Sequence, residues 1–380
     1  MYPALAVLQA TKNGLKPDGP QPDGPQPDGS PGRRAPEVTL EDVIWIGGEE
    51  GIDQEILSRT GLTYRTVSAA GVHGVGLRKL PGNVLQLARG YFQSRRILRR
   101  FQPDVMLFTG GYLAVPVALA GWSIPSVVFV PDIEPGLALK TIARLADAIA
   151  VTAEESKTYF SERKEVVVTG YPVRSELTRW NKPAALDAFE LGVDLPVVLV
   201  VGGSTGARSL NTALAPVLDE LLQETQVIHI TGNLDWPDFK DTPEELPEQL
   251  ASRYSVHPYL HHRMGAALTA ADLVVSRAGA SVLGEFPAFG LPAVLVPYPH
   301  AWRYQKVNAQ YLEDRQAAVI IEDQNLAEEL LETVQRLIRD QRQLLDMKRR
   351  MESAAQPQAA SRIARLLQRT AGEDKGGSTG

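Results

Sequence analysis

Two glycine-rich turns carry the chemistry open to this chain: Val201-Gly-Gly-Ser-Thr-Gly-Ala-Arg208 and Ser276-Arg-Ala-Gly-Ala-Ser-Val-Leu-Gly-Glu285. Each follows a run of β-branched residues and leads into a helical stretch. In the first, Gly202, Gly203 and Gly206 let the main chain approach an anion, with exposed N–H groups at the helix start pointing at it. Tight strand-to-helix turns need glycine anyway, so this turn alone reads equally as a phosphate loop or as a plain connection. The second turn places a carboxylate more than one turn inside its helix. Glu285 there can accept two hydrogen bonds from a ribose diol while the helix start faces phosphate; the alternative is a glutamate that only complements the helix dipole. Arg277 beside two such loops favours a nucleotide diphosphate, although its guanidinium would serve as well in a structural ion pair.

The elements that must position these turns form a regular series. Val43–Ile46, Asp104–Phe108, Ser126–Val130, Ala148–Val151 and Val166–Val168 are short apolar strands separated by helical stretches, and Gly170-Tyr-Pro-Val-Arg174 breaks the pattern. A second series runs through Pro196–Val201, Val227–Ile230, Leu273–Val275 and Ala293–Val296. Continuous apolar strands alternating with helices are the mark of parallel sheets covered on both faces. The expected fold class is therefore α/β, with two Rossmann-like doubly wound domains and a ligand cleft between them. The first domain spans residues 1–173 and the second 174–350. A helix over 351–368 packs back toward the first domain, and 369–380 form a disordered tail.

Composition fits a soluble globular chain. Of 380 residues 44% are hydrophobic and 22% charged, the net charge is -6, and there is no cysteine, which excludes disulfide and thiolate chemistry. No apolar run reaches the length of a membrane span. Residues 16–36 repeat Pro-Asp-Gly-Pro-Gln and read as a disordered, solvated insertion without chemistry. The start is unusual: Met1-Tyr-Pro-Ala-Leu-Ala-Val-Leu8 has proline in a first helical turn and an apolar face, with no strand or glycine loop before it. It reads as a βα unit without its β. In-frame codons for that strand and a glycine-rich loop are expected upstream of Met1.

From Arg59 to Pro103 there is no aspartate or glutamate, in a chain that is acidic overall. Nine cations fall there, Arg59, Arg65, Arg78, Lys79, Arg89, Arg95, Arg96, Arg99 and Arg100, interleaved with Leu77, Leu80, Val84, Leu85, Leu87, Tyr91, Phe92, Ile97 and Leu98. A basic amphipathic helix in segment 59–100 suits an anionic membrane surface; the plain alternative is a core helix with a solvated basic face. No nucleic-acid-binding module accompanies it, and no nucleic acid partner is expected.

Taken together, Gly202-Gly-Ser-Thr-Gly-Ala207 with Leu210-Asn211, Ser276-Arg-Ala-Gly-Ala280 through Glu285, and Gly290-Leu-Pro-Ala-Val-Leu-Val-Pro297 leading to Gln305, Asn308 and Ala309 resemble the peptidoglycan N-acetylglucosaminyltransferases of glycosyltransferase family 28. Gly170-Tyr-Pro-Val-Arg174, Gly110-Gly111-Tyr112, Tyr2-Pro-Ala-Leu-Ala-Val7 and the helix from Ala360 to Leu367 extend the resemblance over nearly the whole chain. It implies a GT-B fold and transfer of N-acetylglucosamine from UDP-N-acetylglucosamine to an undecaprenyl-diphosphate-linked muramoyl-pentapeptide, at the cytoplasmic face of a bacterial membrane. By the same resemblance Arg174 and Ser204 lie near the diphosphate and sugar. Ala280, Ser281, Val282, Leu283, Gly284 and Glu285 form the nucleoside loop, with Glu285 on the ribose, Leu260 near the uracil and Gln305 on the sugar. Gly202, Gly203, Thr205, Gly206 and Arg277 serve the phosphates; Gly110, Gly111 and Tyr112 serve the acceptor. No cofactor is expected. No metal is expected either, since no Asp-x-Asp is present to hold a diphosphate through a divalent ion.

Two departures stand out. The family's Gly-Gly-Thr-Gly-Gly-His loop, whose histidine suits a general base, would lie upstream of Met1. The family's His-Glu-Gln-Asn is replaced by Pro131-Asp-Ile-Glu134. The six histidines supply no obvious substitute: His73 reads as a loop residue, His229 as a buried strand residue and His300 as a weak site candidate. His257, His261 and His262 lack carboxylates at metal-ligand spacing. Alternatives from the same fold are a glycolipid glycosyltransferase, a UDP-sugar epimerase or a non-catalytic UDP-sugar-binding protein. Turnover on the lipid-linked muramoyl-peptide separates them.

Overall fold

The computed structural model describes residues 2–12, 39–48, 60–69, 80–203, 206–299 and 303–373. The Pro-Asp-Gly repeat, Ser204, Thr205, His73 and His300 lie outside the described residues, as does the tail beyond 373. The chain divides into two compact units. Unit 1 comprises Met1–Pro131, Pro135–Pro172 and Gln358–Gly380; unit 2 comprises Asp132–Glu134 and Val173–Pro357.

In unit 1, β1 (Ile44–Gly47) pairs in parallel with β2 (Thr63–Thr66), and a second parallel sheet has the order β3 (Met106–Phe108), β4 (Ser126–Val130), β5 (Ala148–Val151), β6 (Glu165–Val168). β4 and β5 are buried throughout, as expected of strands covered on both faces. Among the described residues, β1 has only β2 as a hydrogen-bonded neighbour, and β3 only β4. The two sheets nevertheless share one core, in which Val67 and Ile46 meet Leu98, Met106, Phe108 and Val128. The helix Tyr2–Lys12 packs against the helix Ala359–Glu373.

That last helix differs from the expected one at both ends. Met351–Ser353 finish the preceding helix Gln341–Ser353, with Pro357 in the break, and helix then continues past residue 368 to Glu373. Thr370 explains the extension: it is buried and its Oγ1 donates to the Leu366 carbonyl, while Arg369 pairs with Glu165.

Unit 2 has one six-stranded parallel sheet: β12 (Ala318–Ile320), β11 (Ala293–Leu295), β10 (Leu273–Ser276), β7 (Val197–Val201), β8 (Gln226–Ile230), β9 (Tyr254–His257). The order places β7 and β10 side by side at its centre. From β7 the chain builds outward through β8 and β9, and from β10 it builds the other way. Loops that leave adjacent strands in opposite directions open a crevice at the strands' carboxyl ends, which is where open α/β sheets bind ligands.

Candidate functional site

Both glycine turns leave the sheet at this switch point. The first follows β7. Gly206 N–H donates to the Gly203 carbonyl (3.1 Å), and both glycines have positive φ, +85° at Gly206 and +95° at Gly203. A Cβ on Gly206 would stand 2.4 Å from the Thr231 carbonyl oxygen, so the turn lies directly on the loop after β8 and only glycine fits. The helix Arg208–Leu214 begins immediately beyond.

The second turn follows β10. Gly279 precedes a 3₁₀ turn, Ala280–Leu283, and the helix Glu285–Phe289 starts after Gly284. Glu285 is thus the first residue of its α-helix, not one turn inside it, because the intervening residues wind more tightly. Burial pushes its carboxyl up to about 7, while the Arg174 guanidinium pulls the other way. Arg174 also pairs with Glu176 at 3.2 Å. A partly buried carboxylate beside one arginine, on a turn whose Ala280 and Ser281 remain accessible, can receive two hydroxyl hydrogen bonds.

Arg277 takes the ion-pair arrangement. Its buried guanidinium donates to the Val296 carbonyl (3.1 Å), Asp323 (2.6 Å) and Ser209 Oγ (2.5 Å), and lies over the Tyr298 ring at 5.3 Å. Ser209 Oγ in turn donates to Asp323. Arg277 therefore ties the second turn to the helix that follows the first. Gln305, in the first turn of the helix Tyr304–Glu313, accepts from Tyr298 N–H through Oε1 (2.9 Å). Leu260 is buried just past β9.

Asn308 was not singled out as a site residue by the sequence, yet it joins several parts. Fully buried, it accepts from Ile133 N–H (3.0 Å) and donates to Asp132 (2.8 Å) and to the Ala278 carbonyl (3.1 Å). Asp132–Glu134 consequently belong with unit 2, although β4 before them is in unit 1. Glu134 pairs with Arg303 at 2.7 Å, and burial raises the Asp132 carboxyl against the Asn308 hydrogen bond. The Gln305/Asn308 spacing, three residues apart on one helical face, was the available signal.

In unit 1, Gly110 and Gly111 have φ of +128° and +85° in the turn after β3, and Tyr112 is exposed before the helix Ala114–Ala120. The helix Leu80–Phe101 buries Gly90, Ser94 and Leu98 and exposes Arg89, Arg95, Arg96, Arg99 and Arg100. Its outer face also carries Leu85 and Phe92, 71% and 67% exposed. The helix Ala114–Ala120 packs alongside, adding Leu119 and, just after it, Trp122 at 77% exposure. Trp122 escaped the sequence reading because it lies outside the basic run. Arg59, Arg78 and Lys79 fall outside the described residues.

Among the described residues no cluster of histidines and carboxylates is arranged to hold a metal ion, and no helix is long and apolar enough to cross a membrane. His229 and His257 are held neutral: burial pushes the first down to about 3, and burial with Arg263 nearby pushes the second to about 4. The His261 ring stands edge-on to Tyr259.

Two α/β units with parallel sheets, the second with paired glycine turns at its switch point, have the GT-B architecture. The chain matches the glycosyltransferase family 28 N-terminal domain over residues 34–151 and the family's C-terminal domain over 197–363. It is 37% identical, over 97% of its length and 92% of the relative's, to the UDP-N-acetylglucosamine–N-acetylmuramyl-(pentapeptide) pyrophosphoryl-undecaprenol N-acetylglucosamine transferase of Roseiflexus sp. (strain RS-1). With the transferase of the same name from Desulforudis audaxviator it shares 34% identity, over 98% of this chain and 96% of the relative. The crystal structure of Acinetobacter baumannii MurG superposes with a TM-score of 0.68 at 23% identity, covering 97% of this chain and 95% of that one. The chain belongs to glycosyltransferase family 28.

Proposed function

We propose that this enzyme transfers N-acetylglucosamine from UDP-N-acetylglucosamine to the muramoyl-pentapeptide carried on undecaprenyl diphosphate. Unit 2 holds the sugar nucleotide and unit 1 meets the lipid-linked acceptor at an anionic membrane surface, on its cytoplasmic face. The observation that carries the reading is the pair of glycine turns on adjacent strands β7 and β10, with Glu285 on one of them.

In this reading the first glycine turn, with Ser204 and Arg174, faces the diphosphate and offsets its charge as the sugar-to-phosphate bond breaks. The carboxylate of Glu285 accepts from the ribose hydroxyls, the Ala280–Gly284 turn lines the nucleoside, and Leu260 packs near the uracil. Gln305 faces the sugar, and its Oε1 bond to Tyr298 N–H fixes which end of the amide is presented. The bond from the sugar's anomeric carbon to the UDP oxygen breaks, a bond from that carbon to the acceptor oxygen forms, and the acceptor's hydroxyl proton passes to solvent as UDP leaves. Arg277 acts on the site through Ser209 and Asp323.

On unit 1, Gly110, Gly111 and Tyr112 belong to the acceptor side. Leu85, Phe92, Leu119 and Trp122, with the exposed arginines of the helix Leu80–Phe101, supply apolar insertion and headgroup attraction together. The test is transfer of labelled N-acetylglucosamine from UDP to a lipid-diphosphate muramoyl-pentapeptide, with UDP released in equal amount. Label appearing on diacylglycerol, or interconversion at the sugar C2 without transfer, would replace this reading with a glycolipid synthase or an epimerase.

A further inference from the structure

A continuous chain of buried polar groups runs beneath the first glycine turn, and its direction can be read from the atoms. Asn211, on the helix after the turn, donates through Nδ2 to the Thr231 carbonyl (2.9 Å) and to Asp235 (2.7 Å). Its Oδ1 therefore faces His229 Nε2 at 2.9 Å. An amide oxygen only accepts, so His229 carries its hydrogen on Nε2, and Nδ1 accepts from the Tyr254 hydroxyl (2.7 Å). Donation thus runs one way, from Tyr254 on β9 through His229 on β8 and Asn211 to Asp235. Arg208, the first residue of the helix beyond the turn, meets Asp235 from the other side at 2.8 Å.

The position of this chain is what gives it a role. The Thr231 carbonyl that Asn211 holds is the same atom that a Cβ on Gly206 would meet at 2.4 Å, so it forms the floor of the turn. Arg208 fixes the turn's exit to Asp235. His229 and Asn211 are wholly buried, with the Phe239 ring edge-on to the imidazole at 5.5 Å. Burying so many polar groups brings little net stability over apolar side chains of the same shape, but it does specify a single geometry.

We propose that His229 is a positioning residue for the diphosphate turn: it holds Asn211, and through it Thr231 and Asp235, so that Gly206 stays seated over the Thr231 carbonyl and the turn keeps its phosphate-binding form. The inference rests on the reading of that turn as the diphosphate site. A merely structural role would weaken uridine and UDP binding alike, whereas a positioning role falls on the phosphates alone.

Calorimetric titration with UDP and with uridine separates the two. His229→Leu keeps the volume and removes the donor, and should weaken UDP about tenfold while uridine changes less than about twofold, the loss of roughly one buried hydrogen bond. His229→Gln, whose amide N–H can stand where Nε2–H stood, should recover most of the UDP affinity. Tyr254→Phe keeps the ring, and by freeing Nδ1 should weaken UDP by about threefold without affecting folding. The proposal is overturned if His229→Leu or Tyr254→Phe, shown by thermal melting to be folded, keeps the wild-type ratio of UDP to uridine affinity, or if both ligands weaken together. A wild-type protein that binds uridine as tightly as UDP would remove the diphosphate reading itself, and this inference with it.

Discussion

Unit 1 and unit 2 are built from the same alternation of parallel strand and helix, but they finish their surfaces differently. In unit 2 the sheet is continuous over six strands, and the polar side chains at its carboxyl edge are bound to one another: Arg277 to Asp323 and Ser209, Asn308 to Ala278 and Asp132, Gln305 to Tyr298. In unit 1 the described strands form two separate sheets, and exposed apolar side chains, Leu85, Phe92 and Trp122, accompany the exposed arginines of the helix Leu80–Phe101. A surface of polar groups locked by one another suits a small ligand of fixed shape, because little is left to order on binding. A surface of exposed aromatics and cations suits a fluid one, in which depth and charge matter more than geometry. The contrast predicts that each unit can be damaged without cost to the other's binding.

The largest effect falls on the nucleotide. Glu285→Ala removes the carboxylate proposed to accept two ribose hydroxyl hydrogen bonds, and should weaken UDP about a hundredfold, at roughly 1.5 kcal/mol for each charged hydrogen bond. Binding to vesicles rich in anionic lipid should not change. Loss of both in a folded variant would mean that the two surfaces are not independent. The second effect is the mirror of the first: Phe92→Ser and Trp122→Ser should each reduce partitioning onto anionic vesicles about tenfold through lost apolar burial. Arg96→Ser or Arg99→Ser should each reduce it about fivefold, at about 1 kcal/mol per cation near the surface, and that part should fade in high salt. UDP affinity should be unchanged throughout, and sedimentation with vesicles beside calorimetry reads both.

The same contrast explains what the sequence disclosed. Strands buried on both faces declared themselves: Ser126–Val130 and Ala148–Val151 are apolar at every position but Ser126 and appear with the expected bounds. Strands β9 and β12 close the two edges of the unit 2 sheet, and β2 is half of a two-stranded pair. β9 and β2 mix polar and apolar residues, as in Thr63-Tyr-Arg-Thr66, so no continuous apolar run marked them, whereas β12 is apolar but only three residues long. The glycine turns were legible because close main-chain approach leaves glycine no substitute, as Gly206 over Thr231 shows. What Arg277 does was not legible. A guanidinium near two phosphate-type loops has the same spacing whether it faces a ligand or Asp323, and only the fold decides. Asn308 was hidden for a related reason: its partners Ile133 and Asp132 lie far away along the chain.

The last effect is on stability, and it is read in buried titratable groups of unit 2. Glu285 is held up at about 7 by burial, so the folded chain keeps a proton there that the unfolded chain has released; its contribution is full below about pH 4.5 and is lost as pH rises through 7. His229 runs the other way. Its value near 3 means that its contribution is full above about 6.5 and is lost as pH falls, because only the unfolded chain takes the proton. Asp132, raised by burial, acts in the sense of Glu285, and His257, lowered to about 4, in the sense of His229. Between about pH 4.5 and 6.5 these slopes oppose each other, and the raised carboxyls offset part of the rise with pH that the two histidines impose. Glu285→Gln removes one side of the balance, so its unfolding free energy should fall relative to wild type by about 1.4 kcal/mol for each pH unit of acidification from 7 to 4.5. At pH 8 the same variant should melt higher than wild type while binding UDP far more weakly, since the charge that the ribose needs is the charge the fold is strained to bury. Urea unfolding across that range checks both signs. A variant curve parallel to wild type would show that the Glu285 carboxyl is solvated, and would remove the physical reason for assigning it to the nucleotide.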